Sequence, residues 1–426
     1  MLVSGCRHVA RRCGRLLATL SSSTAREDLI RKMSDDLGAD ADVSMAYMCK
    51  PEDDVSEEPP APAPGGVPDA DMSITFLGTS AGGPSSIRNS SSLVVSTAAT
   101  SWMFDCGEGT QHRMFRCSAP RMRPSAIDRI FITHMHADHV LGLPGILLYI
   151  STSQTVRTTP LHIYGPLGLR AYIRNTLQSV CTNLQIPYYV HEIKVDRANP
   201  DKPIRVLNDG RFEVHAAPIR HSIDCFGYVI TEVDRAGELD AERLRADGVE
   251  PGPIYRLLKG GDSVTLPDGR TINGSDYVNG VIPGRKIVIL GDTFNADNLL
   301  EKAQGADVVV HEATAPDQDA AQAVRRGHST PSMAARFARQ AKARLLILNH
   351  VSPKTTDEGV ARLHGDMPYV NLRDQAVRTM KSDNVIVAFD YLRVCVNRRP
   401  TVPKVPSADV SRSPPADRPV QSEPQL

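Results

Sequence analysis

One short segment constrains the fold of this chain more than any other feature. Residues 133–139 follow an apolar run that predicts a buried strand, and they carry the pattern HxHxDH in His134, His136, Asp138 and His139. A helical apolar pattern follows at once. Because a strand-to-helix turn can present imidazole and carboxylate groups together, and both are zinc ligands, the segment predicts a metal site rather than a chance surface cluster.

The two ends of the chain differ in composition from its middle. Residues 1–26 contain Arg but neither Asp nor Glu, which is typical of a transit peptide, although a basic leader without a targeting role has the same composition. Residues 27–71 are acidic and rich in Pro and predict a disordered linker, and residues 399–426 predict a disordered tail. A folded domain is therefore expected over residues 72–398. Mitochondrial import is expected first, with plastid import, or a cytoplasmic or nuclear location, as the alternatives.

Charge, hydropathy and cysteine content exclude several classes of protein. Lys and Arg together number 49, as do Asp and Glu, so the formal net charge of zero gives no indication of a nucleic-acid partner. No apolar run in the sequence is long enough to span a membrane. The 8 cysteines include no CxxC pair, which predicts neither a disulfide framework nor a thiolate zinc site. Any metal must therefore be held by His and Asp.

Polar residues also follow three apolar strands predicted in the second half of the chain. They are residues 287–290 followed by Asp292, 308–310 followed by Glu312, and 345–348 followed by His350. The predicted helices of this half lie at residues 298–304, 331–341 and 372–381. The alternation of strands and helices indicates a layered α/β architecture.

The residues needed for a two-metal hydrolytic site are present in a consistent order. Such a site needs ligands for both ions, a carboxylate that bridges them and a water that acts as the nucleophile. Taken singly, His221 and His350 are as easily structural histidines, but together with HxHxDH they complete two ligand sets. The predicted sets are His134, His136 and His221 for one ion and Asp138, His139 and His350 for the other, with Asp292 as the bridge.

A further histidine is a candidate for proton transfer. His328 lies in a loop just before a predicted helix, so it is a candidate general acid for the leaving oxygen, with Glu312 as the residue that orients it. The alternative is that His328 has no chemical role, because Ser329 or Thr330 would cap that helix in any case. Position along the chain does not decide between the two.

Six segments in a fixed order form a highly specific pattern. They are residues 104–111, 133–139, 291–293, 311–314, 327–330 and 349–350. Over residues 72–396 the chain thereby resembles the ribonuclease Z family, the tRNA 3′-processing endonucleases, in its short single-domain form. The resemblance implies an α/β fold, the four-layer αββα metallo-β-lactamase sandwich. It also implies two Zn²⁺ ions per subunit, with Mn²⁺ as the alternative, a precursor tRNA substrate and a homodimer.

The resemblance also implies a role for each residue of the site. Asp292 bridges the two ligand sets, and Asp138 assists the nucleophilic water. His328, positioned by Glu312, protonates the leaving 3′ oxygen. The implied reaction removes the 3′ trailer after the discriminator base, leaving a 3′ hydroxyl on the tRNA and a 5′ phosphate on the trailer. Substrate contacts are implied at Arg88, Asn89, Gly252, Pro253, Lys259, Ser329 and Thr330.

Residues 233–283 resemble the protruding tRNA-binding arm of the family. From its residues alone this insertion is a surface excursion punctuated by Gly and Pro, too apolar for a plain linker and of mixed charge. The sequence departs from the family in two places. The early loop has Ser86 where a Lys is usual, and residues 351–355 lack an Arg-Tyr pair. Neither departure touches a predicted metal ligand.

Other metallo-β-lactamase functions are the alternatives. Thioesterases of the glyoxalase II type and small-molecule phosphodiesterases would need neither the arm nor the loop that carries His328. Nucleases that process mRNA need a large domain inserted in the second half of the fold, and the short stretch between Asp292 and His350 leaves no room for one. An inactive RNA-binding subunit is disfavoured, because every ligand position is filled.

Overall fold

The fold is taken from a computed structural model of the chain. The residues that it describes are 47–48, 72–119, 121–152, 159–356 and 367–402. The predicted transit peptide, the predicted linker apart from Tyr47 and Met48, and the tail after residue 402 lie outside the described residues. None of the helices in the described part has the length and apolar character that a membrane crossing needs.

The described residues divide into two compact units. The first unit consists of the described residues of Met1–Val233 and Gly284–Arg398. The second unit consists of Asp234–Pro283 and the described residues of Arg399–Leu426. The first segment of the second unit, Asp234–Pro283, lies close to the bounds expected for the arm.

The strands of the described residues are, in chain order, β1 (Tyr47–Met48), β2 (Met72–Gly78), β3 (Ser92–Thr97), β4 (Ser101–Phe104), β5 (Ile127–Phe131), β6 (Leu161–Gly165), β7 (Tyr188–Glu192), β8 (Ile204–Asn208), β9 (Phe212–Ile219), β10 (Cys225–Glu232), β11 (Arg235–Leu239), β12 (Ser263–Thr265), β13 (Thr271–Asn273), β14 (Val278–Ile282), β15 (Lys286–Leu290), β16 (Val308–Glu312), β17 (Leu345–Asn349), β18 (Thr355–Thr356), β19 (Met367–Pro368), β20 (Val385–Val387) and β21 (Leu392–Cys395).

The α-helices of the described residues are α1 (Thr110–Phe115), α2 (Ala137–Val140), α3 (Leu143–Thr152), α4 (Leu169–Ser179), α5 (Ala241–Ala246), α6 (Pro253–Lys259), α7 (Leu300–Ala303), α8 (Ala320–Arg325), α9 (Pro331–Gln340) and α10 (Tyr369–Met380).

The first unit contains two mixed sheets. Over the described residues, one has the strand order β1-β21-β2-β3-β4-β5-β6-β7, and the other has the order β20-β17-β16-β15-β10-β9-β8. Strands β4 to β7 run parallel to one another, and so do β15, β16, β17 and β20. Parallel strands end at the same edge of their sheet, so the polar residues that follow them are collected at that edge.

Alternation along the strands separates the core of the first unit into layers. In β4, Trp102 and Phe104 belong to the apolar cluster between the sheets, whereas Met103 packs in the cluster that includes α3 and α4. Helices α9 and α10 cover the second sheet in the same way. Full burial of one Phe side chain contributes about 1.5–3 kcal/mol, so each large apolar side chain in these layers stabilises the unit. The predicted four-layer αββα sandwich is confirmed.

The second unit has a small core of its own. Strand β11 pairs with β14 and β12 pairs with β13, both antiparallel, and α5 and α6 pack with them around Leu244, Leu258 and Ile272. The Asp240 side chain caps α5 by accepting a hydrogen bond from the backbone N–H of Arg243 at 2.9 Å. This insertion is therefore a folded element rather than a linker.

The structure differs from the sequence predictions in several elements. The helical pattern after HxHxDH is divided into α2 and α3. At Gly142, between them, the chain passes so close to the Gly107 carbonyl oxygen that a Cβ would collide with it. The predicted helix at residues 298–304 is a 3-10 turn followed by the short α7. The sequence pattern gave no signal for β8, whose residues are only half-buried.

Parts of the predicted linker and tail also carry backbone pairing. Tyr47 and Met48 pair with Arg393 and Leu392 at the edge of the first sheet, so these two residues of the predicted linker form a short strand. Val402 likewise forms a backbone bridge with Val281 in the second unit. An edge strand and a single bridge use main-chain groups alone, so composition gives no sign of them.

Candidate metal centre

The HxHxDH segment is fixed at the carboxyl end of β5 by hydrogen bonds to a neighbouring strand end. Asp105, which follows β4 directly, accepts hydrogen bonds from the backbone N–H of Thr133 at 2.7 Å and from its hydroxyl at 2.8 Å. The Thr133 carbonyl accepts the Phe226 N–H at 2.9 Å. The residue before His134 is thus held from both sheets, which fixes the direction in which the segment leaves the strand.

The first predicted ligand set converges in the structure. The His136 Nδ1 atom lies 3.0 Å from His134 Nε2 and 3.2 Å from His221 Nε2. Asp292 Oδ2 lies 3.8 Å from His134 Nε2. Nitrogen ligands bind Zn²⁺ at about 2.0–2.1 Å, which sets tetrahedral donors about 3.3 Å apart. These four side chains therefore have the spacing and the donor types of a zinc site.

The second predicted set converges beside the first. His350 Nε2 lies 3.3 Å from His139 Nε2 and 3.2 Å from Asp138 Oδ2. Asp292 connects the two sets, because its Oδ1 lies 3.5 Å from His139 Nε2 and its Oδ2 lies 3.4 Å from His350 Nε2. One carboxylate is thus within reach of donors from both sets, as a bridging ligand must be.

Four imidazoles are held so that Nε2 faces the centre. In each, an oxygen atom that can accept a hydrogen bond lies beside Nδ1, which leaves the Nε2 lone pair of the neutral ring free for a metal. The contacts are His139 with the Asp105 carboxylate (2.7 Å), His221 with the Gly327 carbonyl (2.7 Å), His350 with the Thr314 hydroxyl (3.0 Å) and His134 with the Thr133 hydroxyl (3.0 Å). Both hydroxyls donate their own hydrogen to carboxylates, so their oxygens accept from the rings.

The electrostatic environment also suits a cation. Burial lowers the pKa of His134 well below its usual value, so the ring is neutral. Burial alone would raise the pKa of Asp138, but the hydrogen bond to His350 and the neighbouring imidazoles lower it. The same competition lowers the pKa of Asp292. For His139 burial is outweighed by nearby carboxylates, chiefly Asp292, which raise its pKa. Ionised carboxylates therefore face the centre, and their negative potential favours bound metal.

The predicted proton donor and its partner are in contact. His328 Nδ1 lies 3.0 Å from Glu312 Oε1. Burial alone would lower the pKa of His328, but the hydrogen bond and the charge of Glu312 raise it to about 8. Glu312 also accepts the Thr293 N–H at 2.7 Å and the Thr314 hydroxyl at 2.7 Å, which fix its carboxylate. His328 is therefore oriented by Glu312, and its raised pKa favours the protonated ring.

The end of α8 places His328 in the centre. The His328 N–H bonds to the Ala323 carbonyl at 2.8 Å and the Gly327 N–H to the Val324 carbonyl at 3.0 Å, the two bonds of a Schellman cap. Gly327 has φ +84, and a Cβ there would lie 2.7 Å from His221 Nδ1. Glycine is therefore required for two reasons. The backbone conformation is left-handed, and the His221 ring leaves no room for a Cβ.

The arginine of the early loop is bonded inside the protein. Arg88 is buried, and its guanidinium donates to the Thr79 hydroxyl at 2.7 Å and to the Ala388 carbonyl at 2.6 Å. Asn89 is only half-buried, and its side-chain amide donates to the Glu108 carbonyl at 2.8 Å. Arg88 therefore holds the loop together from within, and the substrate contact predicted for it stays a prediction.

Two other predicted substrate contacts are also buried. Ser329 donates its hydroxyl to the Thr293 carbonyl, and Thr330 is the residue before the first turn of α9. Both support the site from within rather than from its surface. The remaining predicted contacts, which belong to the second unit, are exposed: Gly252, Pro253 and Lys259.

Sequence reasoning missed the residues that orient the ligands. Asp105 fixes His139, and Thr314 connects His350 to Glu312. The available signal was position, because both residues lie within segments that carried the resemblance, residues 104–111 and 311–314. Nothing in the sequence indicated which histidine each would contact.

Comparisons with known proteins agree with this geometry. Residues 100–237 match the family described as "Beta-lactamase superfamily domain". Ribonuclease BN of Cronobacter sakazakii is 44% identical over 295 residues, which cover 68% of this chain and 93% of that protein. Ribonuclease BN of Escherichia coli K12 is 41% identical over 296 residues, with coverage of 68% and 93%. The solved structure of human tRNase Z, short form, matches with a TM-score of 0.54 at 29% identity, covering 76% of this chain and 99% of that one.

Proposed function

The chain belongs to the ribonuclease BN family of the metallo-β-lactamase superfamily, and from this membership we propose that it is a zinc-dependent endoribonuclease that removes the 3′ trailer from precursor tRNA. As a ribonuclease Z of the short form, it cuts after the discriminator base and leaves a 3′ hydroxyl on the tRNA and a 5′ phosphate on the trailer. The observation that carries the proposal is the convergence of two ligand sets on Asp292, next to the hydrogen-bonded His328 and Glu312.

The proposed cofactor is a pair of Zn²⁺ ions, with Mn²⁺ as the alternative. The residues that would hold them are His134, His136 and His221 on one side, Asp138, His139 and His350 on the other, and Asp292 between the two. When bound, such ions supply an activated water and stabilise the negative charge that develops on phosphate oxygens. The donor types and the spacings support this assignment.

The side chains of the site account for the movement of protons. Hydrolysis adds water to phosphorus and breaks the bond to the 3′ oxygen, so one proton must leave the water and one must reach the leaving oxygen. Asp138, an ionised carboxylate at the centre, accepts the proton that leaves the water. His328, whose pKa is raised by Glu312, donates a proton to the 3′ oxygen. Glu312 is a positioning residue, because its carboxylate holds the His328 ring by a contact of 3.0 Å.

Binding of the tRNA is proposed to involve the second unit. Its exposed residues include Gly252, Pro253 and Lys259, and its charges are mixed, which favours recognition of RNA shape and backbone over a purely electrostatic contact. The homodimer is part of the proposal through the resemblance to the family. Mitochondrial import is proposed from the composition of residues 1–26.

Cleavage of a 3′-extended precursor tRNA by the full chain tests the proposal. The substrate is incubated with the protein and Zn²⁺ or Mn²⁺, and the cut site and both end groups are mapped. A single cut beside the discriminator base with a 3′ hydroxyl is expected, together with much slower hydrolysis of bis(p-nitrophenyl) phosphate. An intact precursor alongside rapid hydrolysis of the small ester would assign the protein to another class of hydrolase in the superfamily.

A further inference from the structure

A backbone amide outside the ligand sets contacts the metal centre. The loop after β2 brings Gly82 to the HxHxDH segment, where its N–H donates to Asp138 Oδ2 at 2.7 Å. The same oxygen lies 3.2 Å from His350 Nε2 and 3.6 Å from His139 Nε2. Gly82 therefore touches the one carboxylate that the proposed function gives two tasks, as a ligand and as an acceptor of a proton.

The loop is held on both sides of this amide. The Ala81 N–H donates to the Val351 carbonyl at 3.0 Å, and the Val351 N–H donates to the Thr79 carbonyl at 2.8 Å. The buried Ser80 hydroxyl donates to the Gly83 carbonyl at 2.6 Å and closes a tight turn around Gly82. Val351 directly follows His350, so the loop connects the strand end that carries one ligand to the turn that carries another.

Glycine at this position is required by conformation and not by space. Gly82 has φ +73, in the left-handed region that other residues rarely adopt, and a Cβ there would meet no atom within 4 Å. A Cβ at Gly83 would also meet no atom within 4 Å, but Gly83 is outside the left-handed region. The two neighbours thus differ in backbone conformation and in contact with Asp138, which makes Gly83 a matched control.

We propose that Gly82 is a positioning residue for Asp138, whose carboxylate it holds toward His139 and His350 so that the second metal ion binds with its full affinity. The proposal rests on the proposed function for the role of Asp138. The amide occupies one lone pair of Oδ2 and restrains the side chain, while the other acceptor positions of the carboxylate stay available. The turn closed by Ser80 sets the amide in place before metal arrives.

Metal titration of the apo full-length chain tests the proposal without RNA. Zn²⁺ is added in the presence of a competing chelator, and the affinities of the first and second equivalents are measured for wild type, Gly82→Ala and Gly83→Ala. Loss of a group that orients a ligand typically weakens metal affinity about 10–100-fold. We expect the second equivalent to bind about tenfold more weakly in Gly82→Ala and with unchanged affinity in Gly83→Ala. Both variants should fold, with a lower thermal midpoint of unfolding in Gly82→Ala alone, because alanine is strained at φ +73.

A variant without the N–H makes the test decisive. Gly82→Pro removes the donor and, because proline holds φ at about −65°, also the left-handed conformation of the turn, so we expect it to weaken the second equivalent at least as much as Gly82→Ala. A folded Gly82→Pro protein that binds both equivalents as tightly as Gly83→Ala would overturn the proposal. If Gly82→Pro does not fold, Gly82→Ala decides in the same assay.

A double-mutant cycle separates positioning from a general effect on the loop. In the Asp138→Ala background the amide has lost its acceptor, so Gly82→Ala should weaken zinc binding no further. Additive losses would show that Gly82 acts through the loop and not through Asp138. In wild-type background Gly82→Ala should also lower kcat for precursor tRNA about tenfold with KM within twofold. A protein that binds zinc as described but cleaves no precursor would refute the proposed function alone.

Discussion

The two units differ in the solvent exposure of their predicted functional residues. In the first unit His139 and Asp292 are 1% and 3% exposed, and each contacts several other members of the site. In the second unit Gly252, Pro253 and Lys259 are exposed. Catalysis at a metal centre requires atoms in fixed positions, whereas RNA binding depends on many weak contacts. Single substitutions should therefore have large effects in the first unit and small effects in the second.

The largest effect is expected at the carboxylate that connects the two ligand sets. Asp292→Asn keeps the shape of the side chain but removes its charge, so neither ion is held by a bridging carboxylate. We expect kcat/KM to fall more than about 10³-fold. This loss is larger than the loss expected for residues that only orient ligands. The measurement is cleavage of precursor tRNA together with metal content. If Asp292→Asn bound two ions and cleaved at nearly the wild-type rate, Asp292 would not be the bridging ligand.

His328→Ala should have the next largest effect. It removes the proton donor, which typically contributes about 10²–10⁴-fold to kcat. Metal affinity and KM should stay close to wild type, because His328 is outside both proposed ligand sets. The exposed His112→Ala is the control for a histidine without a role in the site. If His328→Ala lost bound metal instead, His328 would be a metal ligand. Its Nδ1 lies 3.8 Å from Asp292 Oδ2, a distance compatible with that role.

Removal of the second unit should reduce substrate binding and leave the chemistry intact. The ends of the excision lie together, because the Glu232 N–H donates to the Arg285 carbonyl at 2.8 Å, so a short Gly-Ser connection can replace residues 234–283. We expect KM for precursor tRNA to rise about 10–100-fold, as for the loss of a few phosphate contacts. Hydrolysis of bis(p-nitrophenyl) phosphate should not change. An equal loss of both activities would mean that the second unit is structural.

The smallest effect is expected at a single exposed charge of the second unit. Lys259→Gln should weaken binding only a few-fold and reduce the slope of log affinity against log salt by about 0.7–0.9, the value for one phosphate contact. Lys194→Gln, an exposed lysine of the first unit, is the matched control and should leave the slope unchanged. Equal slopes for the two variants would place the phosphate contacts elsewhere.

The sequence predicted the fold and the proximity of the ligands for a physical reason. Buried strands appear as apolar runs, and a ligand at the end of such a run is brought to a shared edge of the sheets. HxHxDH after β5, Asp292 after β15 and His350 after β17 all follow this rule, and the structure brings them together. Short-range patterns were sufficient for that part of the site.

The contacts that orient the ligands could not be read in the same way. The bonds of Asp105 to His139 and of Gly82 to Asp138 join segments that are far apart in sequence, and neither has a local pattern. Nothing in the sequence indicated that Arg88 is buried, with its guanidinium bonded to Thr79 and to a backbone carbonyl. A single sequence shows that an arginine is present but not which groups surround it.

Reconstitution of the apo full-length chain with zinc tests most directly whether a two-metal centre carries the reaction. Bound ions per chain and the rate of precursor tRNA cleavage are measured together as Zn²⁺ is added. We predict two ions per chain, no cleavage in the metal-free protein, and cleavage that rises only as the second ion binds. Full cleavage with one ion per chain, or cleavage that persists after metal is removed, would contradict the assignment of Asp292 and the two ligand sets.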